Sequence, residues 1–236
     1  MIIGAFGDSF LFGSDLSDIQ NFDALHWFIP SNNTYPALIA QQLQLQYYCT
    51  ALPGQGNKVI SDDVIRTVVQ RGSDAFYFIN WSWIDRFEYL GTAKVGDAIG
   101  WESTLPGDNN NNSNYYYKNF YTDIDAKLSN LMYINTALEC LLANKCKFIM
   151  TYMDHLLFDT EYNTSVSIEY LQNKIKSHCT NFNGMNFLEW SRANQFPESN
   201  HWHPLEQAHK AAADYWLPKV HTLLNSSAKE ESNAFK

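Results

Sequence analysis

Apolar and polar positions follow two different periods along this chain. Ile2, Ile3, Ala5 and Phe6 form a short apolar run ending at Gly7-Asp8-Ser9, which predicts a buried first strand. Thr34-Tyr-Pro-Ala-Leu-Ile-Ala predicts a helix, with Thr34 as cap and Pro36 in the first turn. Leu45 to Leu52 reads as a second strand, stopped by Pro53 and Gly54. Ser61-Asp62-Asp63 then predicts a helix start, with Val64, Ile65, Val68 and Val69 on one face and Gly72 at the C-terminal cap. Asp74 to Trp81 is rich in aromatic and β-favouring residues and predicts a third strand.

The pattern breaks over residues 91–122. Gly, Pro, an Asn run from Asn109 to Asn112 and the Tyr115-Tyr116-Tyr117 cluster predict an irregular insertion that shapes substrate choice. Helical spacing returns with Ile124, Leu128, Leu131, Ile134, Leu138 and Leu142 over 123–143. A fourth strand is expected at Lys147 to Met153, a helix at 165–178 and a fifth strand at Met185 to Trp190. Pro204 is expected to open a last helix that Pro218 bends or ends, with a frayed polar tail from Ser226. Strands and helices alternate throughout. The expected architecture is a three-layer α/β/α sandwich, flavodoxin-like, with a mainly parallel five-stranded sheet. It forms one domain over 1–225, followed by a flexible tail at 226–236.

Composition narrows the function. The 236 residues carry a formal charge of −9, and no Lys/Arg cluster is visible, which argues against nucleic acid as a partner. No stretch is apolar enough to span a bilayer, and Met1 leads into Ile2 to Phe6 without a basic leader. The expected location is the cytoplasm, with virion association open, and no membrane partner is expected. Cys49, Cys140, Cys146 and Cys179 form no CxxC pair and read as reduced thiols rather than metal ligands.

In a parallel sheet the functional edge lies beyond the C-terminal ends of the strands. Ser9, Gly56, Asn80 and the segment before Pro204 all follow or end predicted strands. Acyl transfer by a serine needs a base, oxyanion donors and an orienting partner for the base. Ser9 by itself reads equally as a helix cap.

The spacing of the other pieces decides between these readings. "GDSFLFGSDL", "TYPALIAQQL", "ALPGQGNKVI", "FYFINWSW" and "HWHPLEQAH" together resemble the SGNH (GDSL-type) hydrolase family, from Phe6 to His209. The resemblance implies Ser9 as nucleophile and His203 as general base. It implies an oxyanion hole from the Ser9 and Gly56 N–H groups and the Asn80 amide, with Gly54 as the alternative glycine. No cofactor or metal is implied. Two positions depart from the family pattern. Phe78 stands where a glycine usually precedes the asparagine. Asn200 stands where an aspartate usually lies three residues before the histidine. An asparagine orients an imidazole but supplies no charge to stabilise imidazolium. The third member is therefore open among Asn200, Glu198, Asp154 and a backbone carbonyl, with a shifted Glu198/His201 pair as a further option.

Asp8 and Asp15 read as turn or helix-start residues, Asp154-His155 as a loop, and His209 as a packed residue. Trp81, Trp83 and Trp202 are candidates for substrate contact through ring stacking. The expected activity is hydrolysis of a small acyl ester, with an O-acetyl group on a carbohydrate as first choice and a lipid or thioester substrate open. A catalytically weakened binding or structural module of the same fold is the competing expectation.

Overall fold

The computed structural model describes residues 1–19, 29–95 and 98–233. Four strands, β1 (Ile2–Phe6), β2 (Gln46–Cys49), β3 (Ala75–Trp81) and β6 (Lys147–Tyr152), form one sheet in the order β2-β1-β3-β6. Every pairing in it is parallel. β3 is buried along its whole length. Its seven residues divide by parity: Ala75, Tyr77, Ile79 and Trp81 enter one core cluster, while Phe76 and Phe78 enter the other. The first cluster is completed by α3 (Asn57–Arg71), α5 (Asp123–Ala143) and α6 (Val166–Lys176). The second is completed by α1 (Ser9–Phe12), α2 (Tyr35–Gln42), α7 (Phe187–Ala193) and α8 (Glu206–Asn233). Helices therefore cover both faces of the sheet, as the alternating pattern predicts.

The sheet has four strands rather than five. The segment Met185 to Trp190, expected as a strand, contains the start of α7. Asn186 accepts from the Glu189 N–H, and the Glu189 carboxylate accepts from the Asn186 N–H. That reciprocal cap favours a helical turn over an extended run. Beyond β6 only an isolated parallel bridge, Met150 to Cys179, stands where a fifth strand would pair.

Three local expectations shift as well. α3 starts at Asn57, four residues before Ser61, whose hydroxyl instead donates to the Tyr133 carbonyl (2.8 Å). The described residues of the segment expected to be irregular carry regular elements. β4 (Phe87–Val95) and β5 (Ala98–Thr104) form an antiparallel hairpin, and α4 (Asn111–Asn119) follows. The Asn run supplies the cap of α4, because Asn110 Oδ1 accepts from the Ser113 N–H (2.8 Å). α8 begins at Glu206, runs past Pro218, where the helix was expected to bend or end, and continues to Asn233. Ala212, Ala213, Trp216 and Val220 bury its inner face, which offsets the one backbone bond that proline removes. Among the described residues no helix is long and apolar enough to cross a membrane.

His209 lies on that inner face, 1% exposed. Its Nδ1 accepts from the Tyr35 N–H (3.2 Å), and its ring stacks on the Tyr35 ring. Burial pushes its pKa down from 6.5 to about 3. Between those values the unfolded chain binds a proton that the folded chain refuses. Stability present above pH 6.5 is therefore lost as pH falls. His209 contributes a loss of stability over that window, while buried carboxylates with raised pKa values, such as Glu88 and Asp63, act in the opposite sense as they protonate. Urea midpoints measured over that window should fall with decreasing pH for the parent. The fall should be smaller for His209→Gln, which can still accept from Tyr35 but does not titrate.

Candidate active site

β1 ends at Phe6, and Gly7-Asp8 leads into the single turn of α1. Asp8 caps this turn, its Oδ1 accepting from the Phe10 N–H (3.1 Å). Ser9 takes the first helical position, where its N–H has no acceptor within the helix. Gly13 closes the turn in the left-handed region (φ 81°). A Cβ there would lie within 2.8 Å of Ser31, Thr34 and Leu16 side-chain atoms. The chain doubles back and reaches Asp15, itself at φ 68°, an unfavourable region for a residue with a side chain.

That reversal has a chemical result. His203, from the loop before α8, places Nε2 3.0 Å from Ser9 Oγ. Its Nδ1 lies 2.7 Å from Asp15 Oδ2. Phe10 meets the imidazole edge-on with ring centroids 5.3 Å apart. Asp15 Oδ2 also accepts from Ser199 Oγ (2.7 Å) and lies 3.2 Å from His201 Nδ1. Burial works to raise the Asp15 pKa. The hydrogen bonds from His203 and Ser199 and the charge of His203 outweigh it, and the net shift is downward, so the carboxylate is held ionised.

The acid beside His203 is thus Asp15, and none of the three expected side chains. Asn200 is exposed. Glu198 is turned to Arg192 (2.9 Å). Asp154 Oδ2 accepts from the Ile84 N–H (3.0 Å), and its Oδ1 accepts from the Leu156 N–H (2.9 Å). Asp15 was legible only as a turn residue, since nothing in its spacing from Ser9 announces that the chain folds back on itself. The one available signal is Gly13, a residue suited to a reversal directly after a single helical turn.

Asn80 is the penultimate residue of β3, on the same sheet face as Phe78. The Thr151 hydroxyl donates to its Oδ1 (2.7 Å), while its buried Nδ2 has no partner among the described residues. Gly56 departs from expectation. Its N–H donates to Glu88 Oε1 (2.6 Å), and the Val59 N–H donates to Glu88 Oε2 (2.9 Å). A carboxylate from the hairpin therefore fills the N-terminus of α3, where the helix dipole favours negative charge. Burial nevertheless raises the Glu88 pKa, against the two backbone bonds. Gly54 sits in the turn before, at φ 79°.

Arg86, just before β4, was missed entirely in the sequence. It donates to Asp8 Oδ2 (3.1 Å) and to the Gln55 carbonyl (2.6 Å), and its guanidinium lies over the Trp83 ring at 4.9 Å. Trp83 also packs against Phe10 (5.7 Å). Trp81, by contrast, is fully buried in the core and offers no surface to a substrate. Trp202 is 65% exposed, beside His203 in the chain. Among the described residues no three His, Cys, Asp or Glu side chains converge as a metal site.

No protein-family model matches the chain, and no curated protein matches it. Solved structures do. TesA aligns over 94% of this chain and 99% of its own, at 10% identity and a TM-score of 0.51. The psychrotrophic esterase EstA from Pseudoalteromonas sp. aligns over 95% of this chain and 99% of its own, at 10% identity and a TM-score of 0.50. A member of the lipolytic G-D-S-L family from Veillonella parvula aligns over 92% and 97%, at 12% identity and a TM-score of 0.48. The chain shares the α/β/α fold of TesA and EstA.

The Asp8–Arg86 pair is nearly dry, with side chains 0% and 9% exposed. Removing one partner of such a pair leaves the other charge buried and costs about 3–5 kcal/mol. Arg86→Met should therefore lower unfolding free energy by about 3 kcal/mol in urea. Arg66→Met, at an ion-paired side chain 60% exposed, should change it by less than about 1 kcal/mol.

Proposed function

We propose that this protein is a serine esterase acting through Ser9, His203 and Asp15. The observation that carries the reading is the continuous relay from Asp15 Oδ2 to His203 (2.7 Å) and from His203 Nε2 to Ser9 Oγ (3.0 Å). Asp15 accepts the Nδ1 proton, so the neutral imidazole presents its Nε2 lone pair to the serine hydroxyl. Ser9 Oγ attacks the ester carbonyl as His203 takes its proton. The Ser9 N–H and Asn80 Nδ2 are the proposed donors to the oxyanion; the orphan amide nitrogen of Asn80 supports its part in this. Gly56 is left out, because its N–H is held by Glu88. His203 returns the proton to the leaving alcohol, and water then releases the acyl group by the same steps.

A small acyl group carried on a sugar is the preferred substrate. The hairpin whose base holds Asp8 carries aromatic and polar side chains, with α4 packed on it, a surface suited to a sugar rather than to a long acyl chain. The competing reading, a binding module with weakened catalysis, rested on Asn200. Asp15 supplies the charge that Asn200 lacks. A fluorophosphonate probe separates the two readings, since labelling of Ser9 requires an activated hydroxyl.

On p-nitrophenyl acetate, Ser9→Ala should abolish turnover. Asp15→Asn should lower kcat by roughly 10²–10⁴, the upper figure being the loss for the equivalent change in a serine protease. Asn200→Asp and Glu198→Gln should change it only a few-fold. A full rate in Asp15→Asn, or a heavy loss in Glu198→Gln, would overturn the assignment of the acid. Asn80→Ala should cost roughly 10²–10³ in kcat with little effect on KM. A change in KM alone would make Asn80 a substrate-binding residue instead.

A further inference from the structure

The outer face of the β4–β5 hairpin carries a groove that the acyl-transfer chemistry does not use. Phe87 and Tyr89 stack side by side along β4 with centroids 5.8 Å apart. Tyr116 of α4 lies nearly parallel on Phe87 at 3.9 Å. Tyr115 and Phe120 complete the lining as an edge-to-face pair (5.7 Å), and they stand 64% and 62% exposed. The depression encloses about 280 Å³.

Its rim is polar. Asn112 Nδ2 donates to Tyr89 Oη (2.9 Å), which donates to Glu102 Oε2 (2.7 Å). Glu102 reaches this position because it lies across Gly91, where a Cβ would come within 1.8 Å of Oε1. A second depression of about 230 Å³ shares Tyr89 and Asn112 and adds Glu102, Ser103 and Asn110. The two form one continuous surface, with aromatic rings at one end and amide, hydroxyl and carboxylate groups at the other.

This lining selects among ligand classes. Among the described residues neither depression is lined by a Lys or Arg, and the carboxylate of Glu102 repels anions, which disfavours phosphate, sulfate or uronate groups. A lipid tail would leave the amides and the carboxylate without matching partners. A pyranose has the complementary form: a flat C–H face for the rings, and hydroxyl groups at its edge for Asn112, Tyr89 and Glu102. The volume suits one or two sugar units. β4 starts at the residue after Arg86, whose guanidinium holds the carboxylate beside Ser9. The groove thus begins one residue from the group that ties the hairpin to the catalytic turn.

We propose that this aromatic groove binds a neutral glycan, with Tyr115 and Phe120 as the stacking platform and Asn112 and Glu102 as hydroxyl partners. The inference rests on the esterase reading only for the idea that the glycan carries the ester. Binding itself does not involve Ser9.

The test uses the full chain carrying Ser9→Ala, run through native gels containing soluble xylan, glucomannan or hydroxyethylcellulose, with polygalacturonate as the anionic comparison. At least one neutral polysaccharide should retard it. Tyr115→Ala and Phe120→Ala should weaken that retardation at least tenfold, while Tyr115→Phe, which keeps the ring, should preserve it. Both positions are exposed, so the substitutions leave the core untouched. The proposal is overturned if no neutral polysaccharide retards the protein, if only polygalacturonate does, or if the alanine variants bind as the parent does. It is also overturned if sedimentation shows that the groove is buried between two copies and that the variants are monomers. Turnover of p-nitrophenyl acetate by the parent is measured alongside. Binding without turnover would sink the esterase reading and leave the groove standing. Turnover without binding would do the reverse.

Discussion

The carboxylate of Asp8 is the constraint on which the site depends. It is fully buried, yet it accepts from the Phe10 N–H, the Ser82 hydroxyl and the Arg86 guanidinium. An unpaired charge there would be costly, so each of these partners is held in turn. Through Phe10 the carboxylate starts the helical turn that presents Ser9. Ser82 lies just past β3, whose last residues include Asn80. Arg86 also bonds the Gln55 carbonyl and so fixes the turn before α3. The ends of three strands and the base of the hairpin are thus tied at one buried point. A sheet of only four strands needs such a fastening, because its topology brings the loops to one edge without setting the distances between them.

The hairpin is as much a part of the site as the sheet. Glu88 and Arg86 are two residues apart at its base, and together they engage α3, Gln55 and Asp8. Phe87, between them, points to the opposite face, as the pleat requires. One short stretch thereby locks the inner surface with charge and offers aromatic rings on the outer one.

Much of this was legible in the sequence because it depends on local signals. The β3 run reads as a buried strand, and the spacing in α5 reads as a helix to its last residue. Ser9 and His203 were visible because each sits at a strand end or before a helix. Part of what escaped is local, and part depends on pairs distant in the chain. The cap formed by Asn186 and Glu189 is a four-residue signature hidden inside an apolar run that reads as a strand. Asp15 lies six residues from Ser9, but its partner is 188 residues away. The occupation of the Gly56 N–H by Glu88 has no trace in either segment alone. Trp81 looked like a site residue because it follows Asn80, yet strand parity turns it into the core.

In the proposed reading the nucleophile Ser9 and the acid Asp15 lie on one short turn, and the base His203 is 188 residues from that acid. The relay therefore closes a ring of almost the entire polypeptide. Closing so long a ring costs chain entropy that grows with the logarithm of its length. Two hydrogen bonds do not supply that; the docking of α8 on α2 and into the second core cluster must. The chemistry consequently reports on the completeness of the fold. In that reading the segment before α8 brings both the base and the Ser199 hydroxyl that holds Asp15, so a chain without it would have Ser9 but no working relay.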